Sequence, residues 1–313
     1  MNLNPDILQQ WAEFNERKWN CRTRRVQFRA PNSPAYGEAL FFLNQHGKLY
    51  LPPLNPYHPV RFHSTPTDKV IKLGRQWHEV AKTMIPELLK VRGAASFVFT
   101  PDIVDIRPFL WNGFKADIKY TYLTDLPYSI DQAGANVRRK INKADEQGYR
   151  SARAFDMTEV YQCLQGTESR QGFNYQLSPE DLKMAQSLLG EQAFRAYVCY
   201  SKEGEPVSAN VIIILDDNRP FKWIAGSKTE HLTQGVAQQV ELFTLLDLAS
   251  SGFKEFDFAG ANISSVAASK ANWGGRITPY YLLRTPGYKE VLRAGRDWLR
   301  FSDARKVKSS ASN

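Results

Sequence analysis

A mixed α/β fold, built as two successive units of similar order, follows from three features of this sequence. Short apolar runs rich in β-branched and aromatic residues, such as AASFVFT (94–100) and VSANVIIIL (207–215), read as strands. Between them lie stretches whose apolar residues recur three to four apart, as Val70, Leu73, Trp77, Val80 and Met84 do, which is the period of a helix with one buried face. The order of the runs is β-β-β, helix, β, β in the first half and helix, helix, β-β-β-α-β in the second. No residue-level repeat accompanies that likeness of order.

The elements are justified in turn. Ile7, Leu8, Trp11 and Phe14 fall at helical spacing after Asn4-Pro5, predicting a helix over 3–19. Strands are predicted over 25–29, 39–43 and 48–51, the last two joined by a turn at His46-Gly47. The segment LPPLNPYHPVRF (51–62) is expected to be loop, because each proline removes a backbone donor and fixes its own φ. A helical pattern over 68–91 contains Pro86, which is expected to divide it in two. Strands follow at 94–100 and 118–123, then a polar helix over 131–147 that stops at Gly148. Two short helices are predicted at 156–164 and 179–189, the second with Ser178 as its cap and Pro179 at its first position. Strands at 194–200, 207–215 and 221–226 lead to a helix over 235–251 and a strand over 254–258. A polar loop of small residues then carries Lys270, and a basic amphipathic helix follows the turn at Pro286-Gly287, with a fraying tail.

At 313 residues, with 42% hydrophobic content, the chain can bury one large core or two ordinary ones. Its net charge of +9 favours acidic partners: nucleotides, tRNA, phosphorylated sugars or an anionic membrane face touched peripherally. Cys21, Cys163 and Cys199 are odd in number and unpaired in spacing, which argues against a disulfide framework and for reduced thiols. Neither a signal peptide nor a run of about 20 apolar residues is visible, so a cytoplasmic protein without a membrane span is expected. The five histidines stand at no recognised ligand spacing and no G-x-S-x-G elbow is present, so no metal and no serine nucleophile are expected.

Two stretches suggest chemistry. In LTQGVAQQ, Gly235, Val236 and Ala237 open a helix after a strand, where backbone N–H groups and the helix dipole favour a cofactor phosphate; an ordinary helix start with a flexible glycine reads equally well. In GFKEFDFAGANISSVAASKANWGG (252–275), Asp257 lies between two phenylalanines and so points to the face opposite theirs, and Lys270 follows among small residues. Arg138, Arg139, Lys140 and Lys143 give the 131–147 helix a basic face, which suits a nucleotide or tRNA as well as plain solvation.

Taken in order, NVRRKINKADEQGY, TESRQGF, GEPVSANVIII, SSGFKEFDFAGAN and SKANWGG resemble the C-terminal domain of the Fem-type aminoacyltransferases and related acetyltransferase-like proteins. The preceding FLWNGFKADIKYTYLTDL resembles their approach to that domain, and the likeness is clearest over 105–280. It implies an α/β (mixed α+β) fold of two tandem acetyltransferase-like (GNAT) domains, placed here at 1–130 and 131–290 with a basic helix and tail at 291–313. The implied activity is transfer of an acyl or aminoacyl group to an amino group on an amino sugar or cell-envelope precursor. Acyl-CoA or aminoacyl-tRNA would serve as co-substrate rather than as a bound cofactor, and the acceptor would be an anionic small molecule or glycan. By the same resemblance Lys270 matches the lysine of a Lys-x-x-aromatic-Gly segment placed near substrate phosphate or the reacting carbonyl, and Arg170 an arginine that binds acceptor phosphate. Asp257 then has three open roles: accepting the amine's proton, orienting Lys270, or capping the loop. Trp273 and Tyr280 either line the acceptor site or pack. The alternative class is a non-catalytic binding protein for nucleic acid or an anionic glycan; such a protein needs aromatics among its basic clusters, and RRKINK (138–143) has none.

Overall fold

The computed structural model describes residues 6–31, 33–91, 96–216 and 219–285. In chain order its elements are α1 (Ile7–Trp19), β1 (Arg22–Arg29), β2 (Tyr36–Leu43), β3 (Val60–His63), α2 (Val70–Lys90), β4 (Ser96–Val98), α3 (Arg107–Trp111), β5 (Lys115–Asp125), α4 (Ala135–Glu146), β6 (Arg150–Ala154), α5 (Met157–Gln171), α6 (Pro179–Ala193), β7 (Phe194–Tyr200), β8 (Pro206–Ile213), β9 (Phe221–Ser227), α7 (Val236–Ser250), β10 (Glu255–Asp257), α8 (Ser264–Ala271) and β11 (Arg276–Arg284). Two compact units emerge: one takes in the described residues within 1–20, 52–56 and 119–279, the other those within 21–51, 57–118 and 280–313. The division is therefore not a single cut near residue 130, since α1 belongs with the later elements and β11 ends in the earlier unit.

In the smaller unit β1, β2 and β3 form an antiparallel sheet. Phe28, Ala39 and Phe41 on its inner face pack with Trp77, Val80 and Met84 of α2 and with Phe97, Phe99 and Phe109. The strand expected over 48–51 is reduced to a single bridge, Leu43↔Leu49. The third strand instead comes from the proline-rich segment, once Pro59 has passed and every residue has a donor again. Pro86 sits inside an unbroken α2, on its exposed side, where water can satisfy the carbonyl that the ring leaves unbonded. Burial of Met84, Ile85 and Leu88 around it holds the helix together.

The larger unit carries strands in the order β11-β5-β10-β9-β8-β7-β6. Neighbours in the run from β5 to β6 are antiparallel, except for the parallel pair β10 and β9. Lys222 and Trp223 are consecutive on β9 and so point to opposite faces. Lys222 reaches Glu241 of α7, while Trp223 meets Trp11 and Phe14 of α1 edge to face at 5.8 and 5.5 Å. Helices thus cover both faces of the sheet. On the α7 side Val137 and Ile141 of α4 and Val240, Leu245 and Leu248 of α7 bury against Tyr197, Ile212 and Phe256. At about 1.5–3 kcal/mol per large apolar side chain, that layer is a principal source of the unit's stability. Helix α5 lies so close to β9 that a Cβ at Gly226 would stand 2.5 Å from Cys163 O, which is why this strand position carries glycine.

Two expectations over 150–285 change. Residues 264–271, read as loop, form α8, because a run of Ser, Val and Ala has nothing in it that opposes a helix. Strand β6, at the sheet's edge, alternates polar residues and gives little apolar signal. Strand β11, which also pairs with β4, contains Pro279, a residue that argues against a strand with neighbours on both sides. The helix expected after Pro286-Gly287 lies outside the described residues.

Candidate functional site

The site begins where two parallel strands part. β10 meets β9 at one register position, Asp257↔Phe221. Beyond it the chain stays with β5: Phe258 N donates to Tyr122 O at 3.0 Å and Ala261 N to Tyr120 O at 2.6 Å. β9 runs on paired with β8 only, and the gap between β9 and the departing chain is a cleft of about 440 Å³ closed by the first turns of α7 and by α8.

Four charged groups stand at or near this cleft. Glu241, 4% exposed, is held by Lys222 and by Asn210, whose Nδ2 donates to Oε2 at 3.3 Å. Lys222 Nζ also lies 5.0 Å above the Phe258 ring, so a buried charge pair is covered by an aromatic face. Lys270, on the last turn of α8, donates to Phe258 O, Ala259 O and Gly260 O at 2.6, 2.6 and 2.7 Å. Its ammonium therefore has an acceptor for each of its three protons. Burial lowers the Lys270 pKa to about 8, helped by the nearby Lys222 charge and opposed by Asp257 and Glu241.

Asp257 is 1% exposed and does not line the cleft. Its Oδ1 accepts from Thr121 Oγ1 at 2.5 Å and from Ala259 N at 2.8 Å, the second bond closing a turn at the end of β10. Of the three roles left open by the sequence, the geometry favours capping. Asp257→Asn is accordingly expected to lower stability by about 1–2 kcal/mol, the cost of a weakened buried acceptor, while leaving turnover per folded molecule within tenfold. Denaturant unfolding beside a transfer assay checks this; a thousandfold loss of turnover with full stability would restore the catalytic role.

The other predicted residues are dispersed. Trp273 is buried, lines the cleft and packs between Phe258 and Tyr128, whose hydroxyl donates to Trp273 O at 2.8 Å. Ala237 also lines the cleft, one residue after the buried Val236. Gly235 has φ +89°, and a Cβ there would stand 2.1 Å from Lys140 O, so packing on α4 already requires glycine. Arg170 lies at the exposed end of α5 and donates to Ser227 O at 3.0 Å and Thr167 Oγ1 at 3.1 Å, fastening that helix to the end of β9; the cleft is lined by its neighbour Gln171 instead. Tyr280 is in the smaller unit, buried edge to face with Tyr57 at 4.9 Å.

Sequence reasoning missed Lys222 and Glu241. Their signal was a lone charge inside an apolar strand, FKWIAG, and another inside an apolar helix, VELFTLL. It also missed that Glu205, Glu230 and His231 bring their ligand atoms within 4.8 Å of one another. In that group Lys228 pairs with Glu205 at 2.6 Å and Tyr149 bonds His231 Nδ1 at 2.8 Å.

No known family profile and no curated protein matches the sequence. Comparison of the architecture with solved structures is decisive for the fold. The structure of FemX superposes with a TM-score of 0.63 over 89% of this chain and 92% of its own, at 13% identity. The chain has the FemX fold. L-PGS from Bacillus licheniformis shares the same arrangement, with a TM-score of 0.55 and 14% identity over 94% of this chain and 98% of its own. So does the C-terminal domain of a putative lysylphosphatidylglycerol synthetase from Agrobacterium fabrum, at 0.55 and 11% over 86% of each chain. That architecture is the mixed α/β fold the resemblance implied. Among the described residues no helix is long and apolar enough to cross a membrane.

Proposed function

We propose that the protein transfers an acyl or aminoacyl group to an amino group on an amino sugar or cell-envelope precursor, with acyl-CoA or aminoacyl-tRNA as co-substrate. The observation that carries this reading is the parting of β9 from β10 after Asp257↔Phe221. An unpaired parallel edge offers backbone donors and acceptors to an extended acyl chain as a neighbouring strand would, and so can fix a carbonyl within reach of an attacking amine. In the reaction the amine nitrogen bonds to the carbonyl carbon, the carbon–sulfur or carbon–oxygen bond of the donor breaks, and the amine's proton leaves with the thiol or hydroxyl product.

Lys270 serves here as a positioning residue. Its ammonium fixes the carbonyls of 258–260, and Phe258 and Ala259 form a wall of the cleft. Fold likeness to FemX and to the lysylphosphatidylglycerol synthetase domain adds weight to aminoacyl-tRNA as donor and to an envelope component as acceptor. The test offers acyl-CoA and aminoacyl-tRNA separately, each with a panel of amino sugars and lipid-linked amines, and follows the new amide by mass spectrometry. Amide formed from one donor class supports the reading; none from either removes it.

A second reading, binding of nucleic acid or an anionic glycan without catalysis, draws on the smaller unit. There Arg29 lies 5.1 Å over Tyr36, which stacks on His63 at 4.3 Å, with Arg25 and Arg61 alongside around Glu38. This sheet face has the aromatic and basic interleaving that RRKINK lacks. Affinity for single-stranded RNA that falls steeply with salt, and drops in Tyr36→Ala, supports it.

A further inference from the structure

The cleft contains polar atoms that the protein leaves without partners. Glu241 Oε1 is buried and accepts no hydrogen bond, although Oε2 of the same carboxylate is held by Lys222 and Asn210. Gln238 Oε1, three residues earlier on α7 and also at the cleft, is buried and unbonded too. A buried acceptor without a donor costs about 1–3 kcal/mol, and a charged one more, so such groups in a folded protein take a partner from outside the chain, whether water, an ion or a ligand.

The chemistry of that ligand follows by subtraction. Lys222 is paired with Glu241, and all three protons of Lys270 have carbonyl acceptors, so both cations are already engaged. What remains unfilled on α7 is acceptor, and the carboxylate among them carries charge. The Gln238 amide can present either of its ends, whereas an ionised Glu241 oxygen can only accept. A primary ammonium is a group that donates several hydrogen bonds at once, and its bonds to a carboxylate are charge-assisted.

We propose that Glu241 Oε1, with Gln238 beside it, forms a subsite for a primary ammonium group. The inference rests on the acyl-transfer reading only for the source of the amine, which is either the free amino group of the acceptor or the α-ammonium of an aminoacyl donor.

The experiment measures binding by calorimetry without any co-substrate. Glucosamine stands for the acceptor amine and alaninamide for the aminoacyl group, each compared with its N-acetylated counterpart, which keeps the skeleton and loses the charge. At least one amine is expected to bind ten or more times tighter than its N-acetyl form, and Glu241→Gln is expected to abolish that preference. Preference for glucosamine identifies the acceptor amine, and preference for alaninamide identifies the donor. Because Glu241→Gln leaves Lys222 buried without its partner, the double variant Glu241→Gln/Lys222→Met is measured beside it, and the N-acetyl comparison on the wild-type protein needs no variant. Absence of any amine preference, or a preference that survives in either variant, overturns the proposal. The two readings fail separately. Glu241-dependent amine binding without transfer from any donor leaves the subsite and removes the transferase, while transfer that is unchanged in Glu241→Gln does the reverse.

Discussion

Gly235→Ala is expected to lose about 3 kcal/mol of stability or to fail to accumulate as folded protein. Two separate penalties meet at this position. Its φ of +89° lies in the left-handed region, which costs an L-residue roughly 1–2 kcal/mol. The new Cβ would also stand 2.1 Å from Lys140 O and 2.7 Å from Lys140 C, both backbone atoms of α4. That backbone cannot retreat cheaply, because Val137, Ile141 and Ala144 on the same helix are buried against the sheet and α7. Overpacking of this kind adds about 1–3 kcal/mol. Urea unfolding of wild type and variant reads the sum directly. If Gly235 were there only so that a phosphate could approach a helix start, Gly235→Ala would fold with near-native stability and lose only donor affinity. That result would sink the packing account and revive the phosphate one.

The same position shows where sequence reading succeeds and where it stops. The helix start at 235–236 was legible, since a strand pattern, a glycine and an apolar stripe follow one another locally. The reason for the glycine was not, because Lys140 is far away in sequence and only the fold brings its carbonyl to Gly235. Elements whose apolar residues repeat cleanly, such as β7, β8 and α7, were read almost to their ends. β6 was missed because a strand at the sheet's edge need bury only part of one face, and β11 because Pro279 interrupts its apolar run.

For the cleft, the conspicuous charges proved less informative than the concealed ones. Asp257 drew attention between two phenylalanines and Lys270 in a polar stretch, and each spends hydrogen bonds on holding the turn after β10. Lys222 and Glu241 sit in apolar runs, where a charge must be paired or used, and they meet across the β9–α7 interface. Reading charged residues by the polarity of their surroundings would have ranked these two beside Asp257 and ahead of Lys270.

Lys270→Met is expected to lower stability by about 2–4 kcal/mol and transfer by at least a hundredfold, the estimate for three charge-assisted bonds offset by the relief of a buried charge. The side chain is matched in length, so the change removes the cation and leaves Phe258 O, Ala259 O and Gly260 O without their donor. Ala259 and Gly260 both have positive φ, at +51° and +77°, and the convergence of their carbonyls on one ammonium holds that turn in place. Once released, the turn no longer fixes Phe258, the ring over Lys222, and the cleft wall is lost with it. Lys270→Arg, which keeps the charge, should recover part of both losses. The pH dependence weighs burial of the ammonium against its carbonyl bonds. Because burial lowers the folded-state pKa from 10.5 to about 8, the unfolded chain holds a proton between those values that the folded chain has shed. Wild-type stability therefore rises with pH across that window relative to Lys270→Met, in which the group is absent. Urea unfolding of both proteins at pH 7, 9 and 10 should show the gap widening. A gap that narrows instead means the folded state holds this proton more tightly than the unfolded chain does, and that the carbonyl bonds outweigh burial.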